Sequence, residues 1–223
     1  MALILLIETA TKSCSVALAQ NDKIIACVEE VNENYSHAEK LNTFITALFQ
    51  DQNISLQDVD AIAVSKGPGS FTGLRIGVST AKGLCYSLDK PLISVSTLRA
   101  MAYGIAQKES ADLYCPMIDA RRMEVYNAFY DDKNNEIKAT NADIINADSY
   151  QKELASRVLF FGDGAEKCKQ IIQHSNAKFI DGVYPSSKSM IALAMQKFEK
   201  KEFEDIAYFE PYYLKDFVAG EKN

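Results

Sequence analysis

Histidine is almost missing from this chain: His37 and His174 are the only two in 223 residues. That argues against a zinc centre. It also leaves His37 as the one candidate base for nucleophilic catalysis, and no nucleophile has an evident claim on it. Cysteine is sparse and unpatterned. Cys14, Cys27, Cys85, Cys115 and Cys168 are odd in number, widely scattered and never spaced C-x-x-C. Reduced, mostly buried thiols in a cytoplasmic protein are the simplest account. No apolar run approaches a membrane span. The opening Met1-Ala-Leu-Ile-Leu-Leu-Ile-Glu8 is too short for a signal core and lacks a preceding positive segment. Basic surplus is missing too: 24 Lys and Arg face 30 Asp and Glu, for a net charge of -6. The balance argues against a large nucleic-acid surface of the chain's own. The densest basic run, Lys197 to Lys201, is broken by Glu199 and followed by Glu202 and Glu204. It reads as a solvated helix face and not as a phosphate-binding patch.

What is present is an ordinary globular composition, 48% apolar, with length for one large domain or two small ones. Apolar runs and turn residues predict three strands, Leu3 to Ile7, Cys14 to Ala19 and Lys23 to Val31, forming an antiparallel meander. A helix follows from His37 to Phe49, with Leu41, Phe44, Ile45, Leu48 and Phe49 on one stripe. Then come a strand from Asp60 to Ser65, a helix from Thr72 to Leu88, a strand from Pro91 to Val95 and a helix from Thr97 to Gln107. The order then restarts. Strands are predicted over Leu113 to Ile118, Glu124 to Tyr130 and Ile137 to Ile145. A helix over Ser149 to Ala155, a strand over Val158 to Phe161 and a helix from about Glu166 follow. A last helix, Lys188 to Lys201, can pack against either half, and the tail Glu210-Pro-Tyr-Tyr-Leu-Lys215 reads as an extended segment anchored by its aromatics. The repeat is one of element order. It predicts an α/β protein with a duplicated actin-like, ribonuclease-H-like (ASKHA) architecture of mixed sheets flanked by helices. The two subdomains are residues 1–105 and 106–223.

The most informative stretch runs from the strand ending at Lys66 into Gly67-Pro68-Gly69-Ser70-Phe71-Thr72-Gly73-Leu74-Arg75. Glycines at 67, 69 and 73 allow a tight turn and a close approach. The amides opening the next helix lack intrahelical partners. Such a junction either holds an anion or packs tightly against a neighbour. It is not a P-loop, because Leu74-Arg75 stands where Lys-Ser or Lys-Thr is needed, and no ammonium is placed for terminal phosphates. Arg75 has the reach for an anion, or for a carboxylate on another chain.

Other candidates carry two readings each. Glu8, followed by Thr9, ends the first strand. It either holds a metal or water near a phosphate or, as we favour, hydrogen-bonds the hairpin. Asp119, before Ala120-Arg121-Arg122, echoes it in the second half, either as a cleft edge or in an internal ion pair. Ser36 with Glu39 forms a capping box around His37, and Leu41 stands where a second metal-ligating histidine would be. His174 is a surface or capping residue. Leu74, Val78, Ala81, Cys85 and Leu88 form a seam on a slim helix, which is core or, with Leu41, Phe44 and Leu48, a partner surface.

Lys66-Gly-Pro-Gly-Ser-Phe-Thr-Gly-Leu-Arg-Ile-Gly77, with Ala81-Lys-Gly-Leu and Pro91-Leu-Ile-Ser-Val-Ser-Thr-Leu98, resembles the TsaB (YeaZ) family. So do Ile7-Glu-Thr-Ala10, Cys14-Ser-Val-Ala-Leu18, Ser36-His37-x-Glu39-Lys-Leu41, Met117-Ile-Asp-Ala-Arg121 and Glu124-Val-Tyr126. Gly162-Asp-Gly164 and Pro211-x-Tyr213-Leu214 agree more weakly. The resemblance covers nearly the whole chain. It implies an actin-like fold and a role in making threonylcarbamoyladenosine on tRNA. It also implies a non-catalytic subunit that stabilises the catalytic paralogue TsaD, is joined by the ATPase TsaE, and touches tRNA mainly through the complex. The TsaD contact would use helices of the first half, and a homodimer would form on the same helices when the partner is absent. ATP and a divalent metal would belong to the partners, with no cofactor of this chain's own. The family's first strand usually ends in aspartate, and Glu8 departs from that.

Overall fold

The computed structural model describes residues 2–32 and 37–215. β1 (Leu3–Glu8), β2 (Ser13–Gln20) and β3 (Lys23–Val31) form the meander, and α1 (His37–Gln52) follows. β4 (Ala61–Gly67), α2 (Phe71–Leu88), β5 (Leu92–Ser96) and α3 (Thr97–Ala106) complete the first unit. The second has β6 (Leu113–Asp119), β7 (Glu124–Tyr130), β8 (Glu136–Ile144), β9 (Val158–Phe161), the four-residue α4 (Ala165–Cys168) and β10 (Ala177–Ile180). α5 (Ile191–Lys200) closes the described elements.

The sheets are ordered β3-β2-β1-β4-β5 and β10-β9-β6-β7-β8. Each has a central strand paired antiparallel to the next strand in sequence and parallel to the fourth. One topology thus occurs twice, which is the duplicated actin-like fold. β1 and β4 read as continuous apolar runs because helices cover both faces of that sheet. On one face, Leu5, Ile7, Ile62 and Val64 pack with Leu41, Ile45 and Leu48 of α1 and with Val78 and Cys85 of α2. On the other, Ile4, Leu6, Ala63 and Ile93 pack with Ala100 of α3 and with Met190 and Ala194. α3 also gives Leu98 and Met101 to the core of the second sheet, beside Tyr114, Ile118 and Phe161. One helix therefore joins the halves.

Three expectations are corrected. Ser149 to Ala155 is not an α-helix: Asn146 and Ser149 bond each other's backbone and side chains, Tyr150 takes φ 64°, and only a 3-10 turn at Glu153–Ala155 remains. β10 goes unforeseen because four half-exposed edge residues carry almost no pattern. The final helix begins as a 3-10 turn, Ser187–Met190, and packs on the first sheet. The first sheet's last strand ends at Ser96 and the second sheet's first begins at Leu113, and the chain from Ser187 onward returns to the first sheet. There Glu204 N donates to Leu92 O (2.8 Å) and Tyr212 N to Lys66 O (2.7 Å).

Candidate functional site

The glycine-rich loop meets the turn that follows β1. Ser70 is the N-cap of α2: its Oγ accepts from Gly73 N at 3.3 Å, and its own amide donates to Ala10 O at 2.6 Å. The glycines are there because that turn lies against them. A Cβ on Gly69 would sit 2.2 Å from Ala10 O. One on Gly73 would sit 2.2 Å from Thr9 O, and one on Gly77 2.2 Å from Thr9 Oγ1. Gly67, with φ 106°, lies under Tyr212 O. Close packing against a neighbour, one of the two readings of this junction, is present. The neighbour is the chain's own Thr9–Ala10 backbone.

Glu8 is fully buried at the end of β1. Its Oε1 accepts from Ala10 N (2.6 Å) and from the Ser65 hydroxyl (2.8 Å). That is the hairpin-bonding role favoured from sequence. Its Oε2 has no hydrogen-bond partner among the described residues. Burial pushes the carboxyl up from 4.5 to about 7, against the lowering effect of the Ala10, Ser65 and Thr9 donors. Ser65 is a functional neighbour that sequence reasoning passed over, although a buried hydroxyl in the apolar β4 was the available signal.

Asp119 ends β6 as Glu8 ends β1, but it is half exposed and engaged. Its Oδ1 pairs with Lys167, whose ammonium also donates to Arg122 O and Glu124 O at 2.7 Å. Arg121 N donates to the same oxygen at 3.0 Å. Asp119 therefore serves in an internal ion pair that holds its hairpin. Asp163, between Gly162 and Gly164, accepts from Asp119 N at 3.1 Å. Burial raises its carboxyl, and the charge of Lys12 from the first half draws it down.

His37 is buried, and Thr11 O accepts from its Nε2 at 2.6 Å. The Ser36 member of the expected capping box lies outside the described residues. The Arg75 guanidinium stacks 4.1 Å over Phe71, and its Nε donates to Tyr213 Oη at 3.1 Å. Phe71 and Tyr213 rings lie 4.9 Å apart, so the tail is anchored on the loop by aromatics, as expected. Thr72 is exposed, and Pro68 follows Gly67 inside the packed turn.

The expected partner residues need correction. Leu41, Leu48 and Val78 are buried with Phe44 half-buried against them, and Leu74 is buried beside Gly67. The stripe faces this chain's own sheet. The outward face of α1 instead carries Asn42, Thr43, Thr46, Ala47 and Gln50, which border a shallow groove of about 350 Å³. On the adjoining α2, Ser79, Gly83 and Tyr86 are exposed, Tyr86 at 84%, and nothing lies within 4 Å of a Cβ on Gly83. No helix among the described residues is long and apolar enough to cross a membrane.

The chain matches the family of TsaD, tRNA N6-adenosine threonylcarbamoyltransferase, over residues 31–222. The tRNA threonylcarbamoyladenosine biosynthesis protein TsaB of Escherichia coli K12 is 33% identical, over 98% of this chain and 97% of that protein. TsaB of Bacillus subtilis 168 is 35% identical over 76% of this chain and 75% of its own length. The solved structure of YeaZ from Pseudomonas aeruginosa superposes with a TM-score of 0.80 at 26% identity, covering 96% of this chain and all of that one. Full-length likeness to TsaB, the YeaZ fold and the glycine loop packed on its hairpin agree: this chain belongs to the TsaB (YeaZ) family.

Proposed function

We propose that this chain serves tRNA threonylcarbamoyladenosine biosynthesis as an accessory, non-catalytic subunit. It docks a TsaD-type catalytic partner, joined by TsaE, through the outward faces of α1 and α2. The observation that carries this reading is the packing of Gly69, Gly73 and Gly77 onto Thr9 and Ala10. That contact accounts for the three glycines without calling on a phosphate ligand. Glu8 is sealed beneath it, Asp119 is neutralised by Lys167, and Leu41 stands in the core where a second metal ligand would be. ATP and a divalent metal therefore belong to the partners, and tRNA is contacted mainly through them.

Small or short side chains over Thr43, Ala47, Ser79 and Gly83 let a partner helix approach closely, and Tyr86 offers a large apolar anchor. The same face would carry a homodimer when the partner is absent. Co-expression with the cognate TsaD-type protein tests this. A stable complex is expected for the native chain and its loss for Gly83→Arg, with the variant melting no lower than the native chain. Independent elution of the native pair refutes it.

A second reading, an actin-fold ATP-hydrolysing or kinase-like enzyme, draws support from one observation. A buried carboxyl raised to about 7 suits general acid–base work. ATP turnover by the purified chain, lost in Glu8→Ala, would favour it.

A further inference from the structure

The run Lys197 to Lys201, expected as a solvated helix face, instead contributes to a cavity. A recess of about 290 Å³ opens at the carboxyl ends of β4 and β5, between α5 and the first turn of α3. Lys66, Arg99, Lys197 and Lys200 line it, with Ser94, whose hydroxyl donates to Glu204, and Ser96, whose hydroxyl caps α3, at its wall. Glu202 is the one acidic lining residue. Lys66, Arg99 and Lys200 make no ion pair among the described residues, and Lys197 has only Glu204 at 3.9 Å. Four cations thus converge in a chain whose net charge is -6.

The placement follows a general rule of open α/β sheets, which take ligands beyond the carboxyl ends of their strands. It also sets the positive end of the ten-residue α3 beside the cavity. Burial lowers the Lys197 ammonium below its usual range, and Lys66 and Arg99 lower it further, while Glu204 and Glu202 beside it partly offset them. An anion would relieve both the repulsion and the unpaired charge.

We propose that this recess is a binding site for a small phosphate-bearing anion carrying two or more charges, separate from the Glu8 and glycine-loop region. Size favours a small molecule over a nucleic-acid backbone. The recess lies at the lower end of ligand-pocket volumes, and its cations converge on one volume and form no stripe along which a strand could lie. The inference does not depend on the docking reading.

Inorganic pyrophosphate is the probe, titrated into the isolated full chain and followed by amide chemical shifts and calorimetry. Saturable binding is expected at millimolar or lower concentration, weakening with added salt. The shifts should centre on Ser94 to Arg99 and Lys197 to Glu202. Lys66→Ala with Lys200→Ala should weaken binding about tenfold or more, as loss of charge-assisted contacts implies. Both side chains reach solvent, so folding should hold; Arg99→Gln is the independent second variant. Absence of saturation, shifts centred on Glu8 to Ala10 instead, or unchanged affinity in both variants would overturn the proposal. So would an RNA oligonucleotide that moves these resonances while pyrophosphate does not.

Discussion

Substitution of two glycines in one helix separates packing from phosphate binding. Alanine at position 73 would place a methyl 2.2 Å from Thr9 O and 3.2 Å from His37 Cδ2. Ordinary contact begins about 1 Å further out, and the first obstacle is backbone. The β1–β2 turn cannot slide away freely, because Ala10 O is held by Ser70 N and Ala10 N by Glu8. Overpacking of this kind costs about 1–3 kcal/mol, and the upper end applies where both sides are backbone. Replacing a helical glycine returns up to about 1 kcal/mol. The net loss is then about 2–3 kcal/mol, or roughly 5–10 °C in Tm for a chain of this size. Gly83, ten residues on in the same helix, has nothing within 4 Å of its would-be methyl. There alanine should stabilise by about 0.5–1 kcal/mol and raise Tm by about 2–3 °C. Calorimetric or circular-dichroism melts of Gly73→Ala and Gly83→Ala read the difference. If both variants melt with the native chain, the loop glycines are not packing residues and the account of the loop is wrong.

Glu8 ties stability to pH. Its folded pKa, about 7, exceeds the unfolded value of 4.5, so the folded chain holds the extra proton and stability falls as pH rises from 4.5 through about 7. The full loss is about 3 kcal/mol, and Glu8→Gln, which keeps an acceptor for Ala10 and Ser65, should gain on the native chain between pH 5 and pH 8 in urea melts. A constant difference across that range would refute it. Leu41→Ala and Leu74→Ala should each cost about 2–5 kcal/mol as core cavities; variants that unfold with the native midpoint would return these side chains to a surface role. Tyr213→Ala removes the ring contact with Phe71 and the bond from Arg75, for about 1–2 kcal/mol. Faster proteolysis of the 210–215 tail should accompany it, and an unaltered cleavage rate would show that these contacts do not hold the tail.

Much of the fold was legible because the central strands of the first sheet are covered on both faces, so β1 and most of β4 read as apolar runs. In the second half the signal thins. The segment at 149–155 is decided by local Asn146 and Ser149 bonds that no periodicity records, and β10 is a short edge strand. At the site, the glycine spacing announced a close approach but not what approaches, since Thr9 and Ala10 lie some sixty residues earlier in the chain. The apolar stripe on α1 and α2 was readable as a stripe, yet periodicity does not say whether a sheet of the same chain or another protein covers it. Lys66 and Arg99 stand far apart in sequence from Lys197 and Lys200, and only the return of α5 to the first sheet brings them together.

The central claim, that this chain acts by docking and not by its own chemistry, is tested most directly in a reconstituted reaction. Threonylcarbamoyladenosine formation on tRNA is measured with the partner proteins present, comparing Glu8→Gln with Gly83→Arg. The account predicts that Glu8→Gln supports modification at the native rate and that Gly83→Arg does not. Loss of modification in Glu8→Gln, with Gly83→Arg fully active, would contradict it.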